Sequence, residues 1–427
     1  MSFNEGIPRV WDVKPFEQLF AEPTRNGLTR PKRVRGDGIK MVNMGEIFAY
    51  DRIFKQDMDR VPVSEKEYDK YILKKGDLLF ARQSLTLKGA GKCSIVMTDE
   101  EMTFESHLIR ARLQKEIADP MFYYYLFKSK IGKELISLIV EQVAAAGIRG
   151  SDLVKLKVPV PVILEQRKIS EVFSKIDDKI ELNNAINKNL EEMAQALFKR
   201  WFVDFEFPNE NGEPYKSSGG EFEESELGLI PKGWRVRPLI EILEVNPKRT
   251  LKKGVNAPYV EMKSITNYYA RVTEQYNREF KSGTKFMNGD VLLARITPCL
   301  ENGKTAYVDF LEENQVGWGS TEYIILRSHQ GIPHLFAYFL ARSDEFRLYA
   351  INNMTGTSGR QRVPEASVSS YPVAIPDTFE LFRKFGNTVH PGFELMKKND
   401  LETHSLNLIR DTLLPKLMSG EIRVDQA

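Results

Sequence analysis

Cysteine is scarce in this chain. Two occur in 427 residues, Cys93 and Cys299, and they lie far apart. They provide neither a disulfide framework nor a metal-ligand spacing, so the expected compartment is a reducing one, the cytoplasm. Long uncharged apolar runs are missing, and so is a secretory leader, so neither a membrane span nor export is expected. Net charge is nearly absent, since 61 Lys and Arg against 59 Asp and Glu leave a formal +2. Any case for nucleic-acid binding must therefore come from local clustering.

Recognisable chemistry is missing too. The five histidines, His107, His329, His334, His390 and His404, make no metal spacing. Gly303-Lys304-Thr305 has Pro298 where a phosphate loop needs glycine. Gly91-Lys92-Cys93 lacks both that glycine and the hydroxyl residue. No Asn-Pro-Pro-aromatic or Asp-Pro-Pro-Tyr stretch exists, so the usual adenine-methylating site is missing. No catalytic residue, metal or cofactor is assigned to the chain.

What is present is periodicity. From about Gln166 to Trp201, apolar residues fall at Ile169, Phe173, Ile176, Ile180, Ile186, Leu190, Met193, Leu197 and Trp201. Steps of three and four over roughly eight turns mark a coiled-coil seam. Adding 216 finds an echo at Phe385, Val389, Met396, Leu406, Ile409, Leu413 and Leu417. The seam step at Asn183 becomes Asn399. If the helices pair antiparallel with ends matched, these two residues meet at the centre. A buried Asn penalises every register that leaves it unpaired. The bland alternative is two unrelated helices with solvent-facing Asn. Pro391 should kink the second helix, making 377–390 a short separate helix with Pro391 at the first position of the long one.

The segments before the helices also repeat. Trp11 to Pro15 is mirrored by Trp234 to Pro238, and Lys75 to Arg82 by Asn288 to Arg295. The interval from Gly76 to Pro159 equals that from Gly289 to Pro372. Short strands are expected at 78–82, 93–97 and 108–113. A single helix is expected from Pro120 to about Gln142, echoed by Pro333 to Tyr349. This predicts an α+β chain of two repeated globular domains joined by two long helices that form an antiparallel coiled coil. The expected boundaries are a first domain at 1–161, a central helix at 162–207, a linker at 208–233, a second domain at 234–376 and a helical region at 377–427. The linker is read from Pro208, Gly212, Pro214, Ser217-Ser218-Gly219-Gly220 and the acidic run Glu221 to Glu226.

Basic residues cluster on Gly- and Pro-punctuated loops. The DNA-contact candidates of the first copy are Arg25, Arg30, Lys32, Arg33, Arg35, Arg82, Lys92 and Arg149. Those of the second are Arg249, Lys252, Lys253, Arg295, Lys304, Arg360 and Arg362. Most would touch phosphates and a few would read bases. The alternative is solvated or ion-paired surface charge. Arg82 and Arg295 end strands at matching places and make the best pair. Trp11 and Trp234 are read as core anchors rather than base-stacking platforms.

The pattern as a whole resembles the specificity subunit of type I restriction–modification systems. The resemblance is carried by Pro159-Val-Pro161 leading to Glu165-Gln166-Arg167-Lys168-Ile169, by Asn189-Leu190-Glu191, and by Ala196-Leu197-Phe198. Gly228-Leu229-Ile230-Pro231-Lys232-Gly233-Trp234, Gly76-Asp77-Leu78-Leu79 with Gly289-Asp290-Val291-Leu292, and Leu413 to Ile422 complete it. The resemblance implies two target-recognition domains, each reading half of a split DNA sequence. It implies a coiled coil that spaces them and docks two modification subunits. S-adenosylmethionine, ATP and Mg²⁺ would sit on partners, the modification subunits and a restriction/translocase subunit. The alternatives are a coiled-coil adaptor that bridges proteins without reading DNA and a duplicated DNA-processing enzyme with an unrecognised site.

Overall fold

The computed structural model describes residues 11–87, 89–142, 146–357 and 359–424. The chain divides into two units, Met1–Glu181 with Glu402–Ala427, and Leu182–Leu401. Each long helix contributes to both. The first runs Ile163–Phe198 and the second Glu380–Met418.

In the first unit a five-stranded sheet is ordered Phe20–Asn26, Leu108–Leu113, Leu78–Ala81, Cys93–Val96, Arg52–Ile53. Its central strand is an unbroken apolar run because both faces are covered. Alternation sends Leu78 and Phe80 to the core under helix Pro120–Lys128. It sends Leu79 and Ala81 to a second core with Val42 and Phe104. A smaller sheet places Ile39–Val42 antiparallel to Arg60–Val61 and parallel to Met102–Phe104. Strand Asp12–Pro15 pairs with Lys157–Val160, which leads directly into the first long helix.

The second unit repeats the plan. Val291–Ala294 lies between Tyr323–Ser328 and Thr305–Tyr307, with Val291 and Leu293 facing one core and Leu292 the other. Asn256–Val260 runs parallel to Gly317–Gly319 and antiparallel to Tyr276–Glu279. Strand Trp234–Pro238 pairs with Pro372–Pro376 ahead of the second long helix. The stretch 208–233 is ordered here. Phe222–Ser225 pairs with Gly228–Pro231, and Phe207 stacks on Tyr215 at 4.6 Å and on Trp234 at 5.2 Å.

Three expectations are corrected. The helix from Pro120 breaks at Ser129 into Pro120–Lys128 and Lys130–Ser137, and its echo breaks at Ser343. Each serine Oγ accepts from a backbone N–H three residues on, at 3.3 Å, and so starts a new helix. The apolar period continues across the break, which hides it. Pro391 neither ends nor restarts its helix, which is continuous from Glu380. Proline forfeits one backbone bond there, but buried Val389, Phe393 and Met396 hold the turns on either side. The seam also differs in detail. Met193 is 68% exposed and Ile409 46% exposed.

The observed seam in the second unit is Asn183, Asn187, Glu191, Ala194 and Phe198, all buried, with Ile186, Leu190 and Leu197 half-buried beside it. Facing it are Phe385, Val389, Phe393, Met396 and Asn399. Asn183 Nδ2 donates to the Asn399 carbonyl at 3.4 Å, so the two counterparts do meet. The side-chain bond of Asn399 goes to Asn187 Oδ1 at 2.8 Å, and Asn187 donates to Asp400 at 2.9 Å and to the Met396 carbonyl at 3.4 Å. In the first unit Ile169 and Phe173 are buried with Leu414, Leu417 and Met418, while Ile176 and Leu413 pack half-buried against them. Ile180 and Leu406 are half-buried as well. Arg410 reaches Asp177 at 3.0 Å and Lys179 meets Glu402 at 3.1 Å. Partners fall in number on one helix as they rise on the other, so the pairing is antiparallel in each unit.

Glu191 accepts from the Ala270 N–H at 2.8 Å and from the Tyr338 hydroxyl. Burial raises its pKa above the ordinary 4.5. The folded chain therefore holds that proton more tightly, and the associated stability is full below the free pKa and is lost as pH rises through the folded value. Glu191→Gln should flatten this decline, as read by urea midpoints between about pH 4 and 8. Asn399→Ala should cost about 1–3 kcal/mol in urea unfolding, because it leaves the buried Asn187 oxygen without a donor. Replacing Asn187 and Asn399 together by Leu should cost less than that single change.

Candidate nucleic-acid interface

The same strand end occurs in both domains. Arg82 follows the central strand Leu78–Ala81, and Arg295 follows Val291–Ala294. Arg82 N–H donates to the His107 carbonyl at 2.8 Å, and Arg295 N–H donates to the Glu322 carbonyl at 3.0 Å. The carbonyls of Arg82 and Arg295 accept from Ile148 and Val363 at 2.9 Å each. Both arginine side chains are half-buried. The loop carrying Arg149 is brought beside Arg82, and the loop carrying Arg360 and Arg362 beside Arg295.

The other candidates separate by their partners. Arg30 donates to both oxygens of Glu67, at 2.8 and 2.7 Å, and this pulls the Glu67 carboxyl down to about 2. Arg35 grips Asp59 at 2.6 Å and Asn43 at 3.1 Å. Arg149 pairs with Glu141 at 2.6 Å. Arg249 binds Asp290, a fully buried carboxylate, at 3.0 Å. Arg362 holds Glu322 in a bidentate pair. Lys92 donates to the Phe48 carbonyl at 3.0 Å and Lys304 to the Met262 carbonyl at 2.9 Å. These two lysines begin equivalent strands, and their recurrence reflects that shared architectural bond. Arg25 lies over the Tyr71 ring, 5.5 Å from its centre. Lys32, Arg33, Lys252, Lys253 and Arg360 are exposed, with no ion pair among the described residues.

Each domain is clamped to its helices by groups that periodicity does not reveal. Arg52, 6% exposed, pairs with Asp178 at 2.6 Å and Glu181 at 3.4 Å. Tyr125 donates to Asp177 at 2.9 Å. Trp11 is buried and its indole N–H donates to Glu165 at 3.1 Å, which makes it an anchor. Gln166 accepts from Asp119 N–H and donates to the Ile117 and Pro161 carbonyls. In the second unit Arg271 pairs with Asp400 at 2.6 Å and also with Asp309. Burial raises the pKa of both of these carboxyls. Trp234 is buried in an aromatic stack. Loop composition does not single out Arg278, whose guanidinium sits over the rings of Tyr259 and Trp318. Its signal was present as the alternation Tyr276, Arg278, Phe280.

Two repeated domains with basic loops, each closed by a ribbon onto paired helices, define a two-part recognition module. Residues 33–192 match the family described as type I restriction modification DNA specificity domain. The chain is 27% identical to the type I restriction enzyme MjaIX specificity subunit of Methanocaldococcus jannaschii, over 98% of this chain and 95% of that one. It is 26% identical to the type I restriction enzyme HindI specificity subunit of Haemophilus influenzae, over 83% and 88%. The type I restriction–modification system S subunit from M. genitalium, a crystal structure, shares the fold with a TM-score of 0.59 at 17% identity and 98% coverage of both chains. Residues 33–192 thus match the specificity-domain family, and nearly the whole chain is similar to specificity subunits of type I restriction enzymes. Among the described residues no helix is long and apolar enough to cross a membrane.

The division of basic residues has a measurable consequence. Lys32→Ala with Arg33→Ala should weaken DNA binding across all sequences and reduce the salt slope of log K by about 2 if both meet phosphates. Lys304→Ala and Arg249→Ala should instead lower the urea midpoint. Binding titrations from about 50 to 200 mM salt separate the two groups.

Proposed function

We infer that this chain is the DNA-sequence-specificity subunit of a type I restriction–modification complex and performs no catalysis itself. Each recognition domain reads one half of a bipartite duplex target. The antiparallel helices set the gap between the halves and dock the other subunits. The observation that carries this reading is the duplication: one scaffold appears twice, each copy fastened to paired helices, with different surface residues on matching loops. Two copies of one fold with different surfaces can read two different sequences.

The partners follow from this reading. Two modification subunits would bind S-adenosylmethionine and methylate adenine, and a restriction/translocase subunit would use ATP and Mg²⁺. This chain would supply the address, in the cytoplasm with the chromosome. Lys32, Arg33, Lys252, Lys253 and Arg360 are the best-placed phosphate contacts. Arg82 and Arg295 would read or position DNA from equivalent strand ends. The first long helix, 36 residues long, spans about 54 Å at ~1.5 Å per residue. That length is of the order needed to separate half-sites by a helical turn or more.

A genome-wide map of methylated adenine, with and without this gene, tests the reading in a host carrying the modification subunit. A split motif of fixed gap, lost on deletion, is expected, whereas an unchanged map would overturn it. Exchanging residues 12–160 for those of another specificity subunit should alter one half only. Adding a heptad to both long helices should lengthen the gap and keep both halves. Altered halves with the old gap would contradict the spacer role.

A further inference from the structure

The small sheet of the second domain carries a feature absent from its counterpart in the first. Tyr259 pairs with Tyr276 on one side and with Trp318 on the other, and Arg278 pairs with Ala257. Alternation places these side chains on one face, opposite the core residue Val260. Trp318 is 4% exposed, packed against Tyr259 at 4.3 Å and Phe280 at 5.3 Å. The Arg278 guanidinium lies 4.8 Å from the centre of the Tyr259 ring and 5.7 Å from that of Trp318. Its side chain is exposed and has no hydrogen bond or ion pair among the described residues.

An arginine seated over aromatic rings has less freedom left to lose when it binds, and its N–H donors stay available where they make no other bond. The surrounding charge is positive. Lys285 sits over the Phe280 ring at 5.2 Å, and Lys252 and Lys253 are exposed on the loop before strand Asn256–Val260. Glu261 is occupied by Lys263 at 2.7 Å and by the Tyr276 hydroxyl at 2.5 Å, and Glu279 falls on the opposite face by alternation. In the first domain the matching parallel pair is Met41 with Thr103, both fully buried and neither aromatic. The scaffold is shared and the platform is not, as expected of a residue that distinguishes one half-site from the other.

We propose that Arg278, seated on Tyr259 and Trp318, reads a guanine in the major groove of the half-site recognised by the second domain. A guanidinium presents two parallel N–H donors that match guanine O6 and N7, and a glutamine in its place matches adenine N6 and N7. The proposal rests on the DNA-specificity reading above.

The test is the adenine-methylation map in the same host, with wild type, Arg278→Ala and Arg278→Gln compared. Arg278→Ala should relax one G·C position of one half-site by roughly ten- to a hundredfold in preference. The other half-site and the gap should stay unchanged and so report a folded chain. Arg278→Gln should shift the same position toward A·T. An identical motif in all three, or a uniform loss over every position of both halves, would overturn the base-reading role. A wild-type motif independent of this gene would overturn the specificity reading itself and this proposal with it.

Discussion

The arrangement depends on buried amides in the helix seam. Asn183, Asn187 and Asn399 are nearly or fully buried, and each finds a partner on the facing helix. A purely aliphatic seam can slide by a turn at modest cost. Here a one-turn slip of about 5.4 Å would leave several buried polar groups without partners, at about 1–3 kcal/mol each. The amides therefore add less to stability than to uniqueness, which is what a helix pair acting as a ruler requires. Arg52 on Asp178 and Arg271 on Asp400 then tie each recognition domain to a defined point on a helix.

Duplication sorts residues into two kinds. Those doing architectural work recur with the same bond. Lys92 and Lys304 both close onto a backbone carbonyl, and the strand-end arginines share the same backbone partners. Residues that differ at matching places are free to carry information, as Tyr259 and Trp318 do against Met41 and Thr103. This contrast needs no sequence comparison beyond the chain's own two halves.

The fold was legible in the sequence because its signals are local or repeated. Equal intervals between Gly76 and Pro159 and between Gly289 and Pro372 announce the two domains. The seam period announces the helices. The breaks at Ser129 and Ser343 were hidden because one capping hydroxyl outweighs an apolar period that runs past it. Met193 follows the apolar period yet is exposed, because the polar residues Asn187 and Glu191 occupy the buried positions. The interface was less legible than the fold. A basic loop looks the same whether its arginines are free or paired, and the partners of Arg30, Arg35, Arg249 and Arg362 lie 24 to 41 residues away in the chain. Only the folded backbone brings Glu67, Asp59, Asp290 and Glu322 to them.

Two readers on one helical ruler should recognise a target of one fixed gap. This is tested most directly by methylation of a DNA library in which both half-sites are kept and the gap varies one base pair at a time, using the assembled complex. Methylation is expected at a single gap, with loss of roughly tenfold or more one base pair to either side. Equal methylation at every gap, or methylation of either half-site alone, would contradict it.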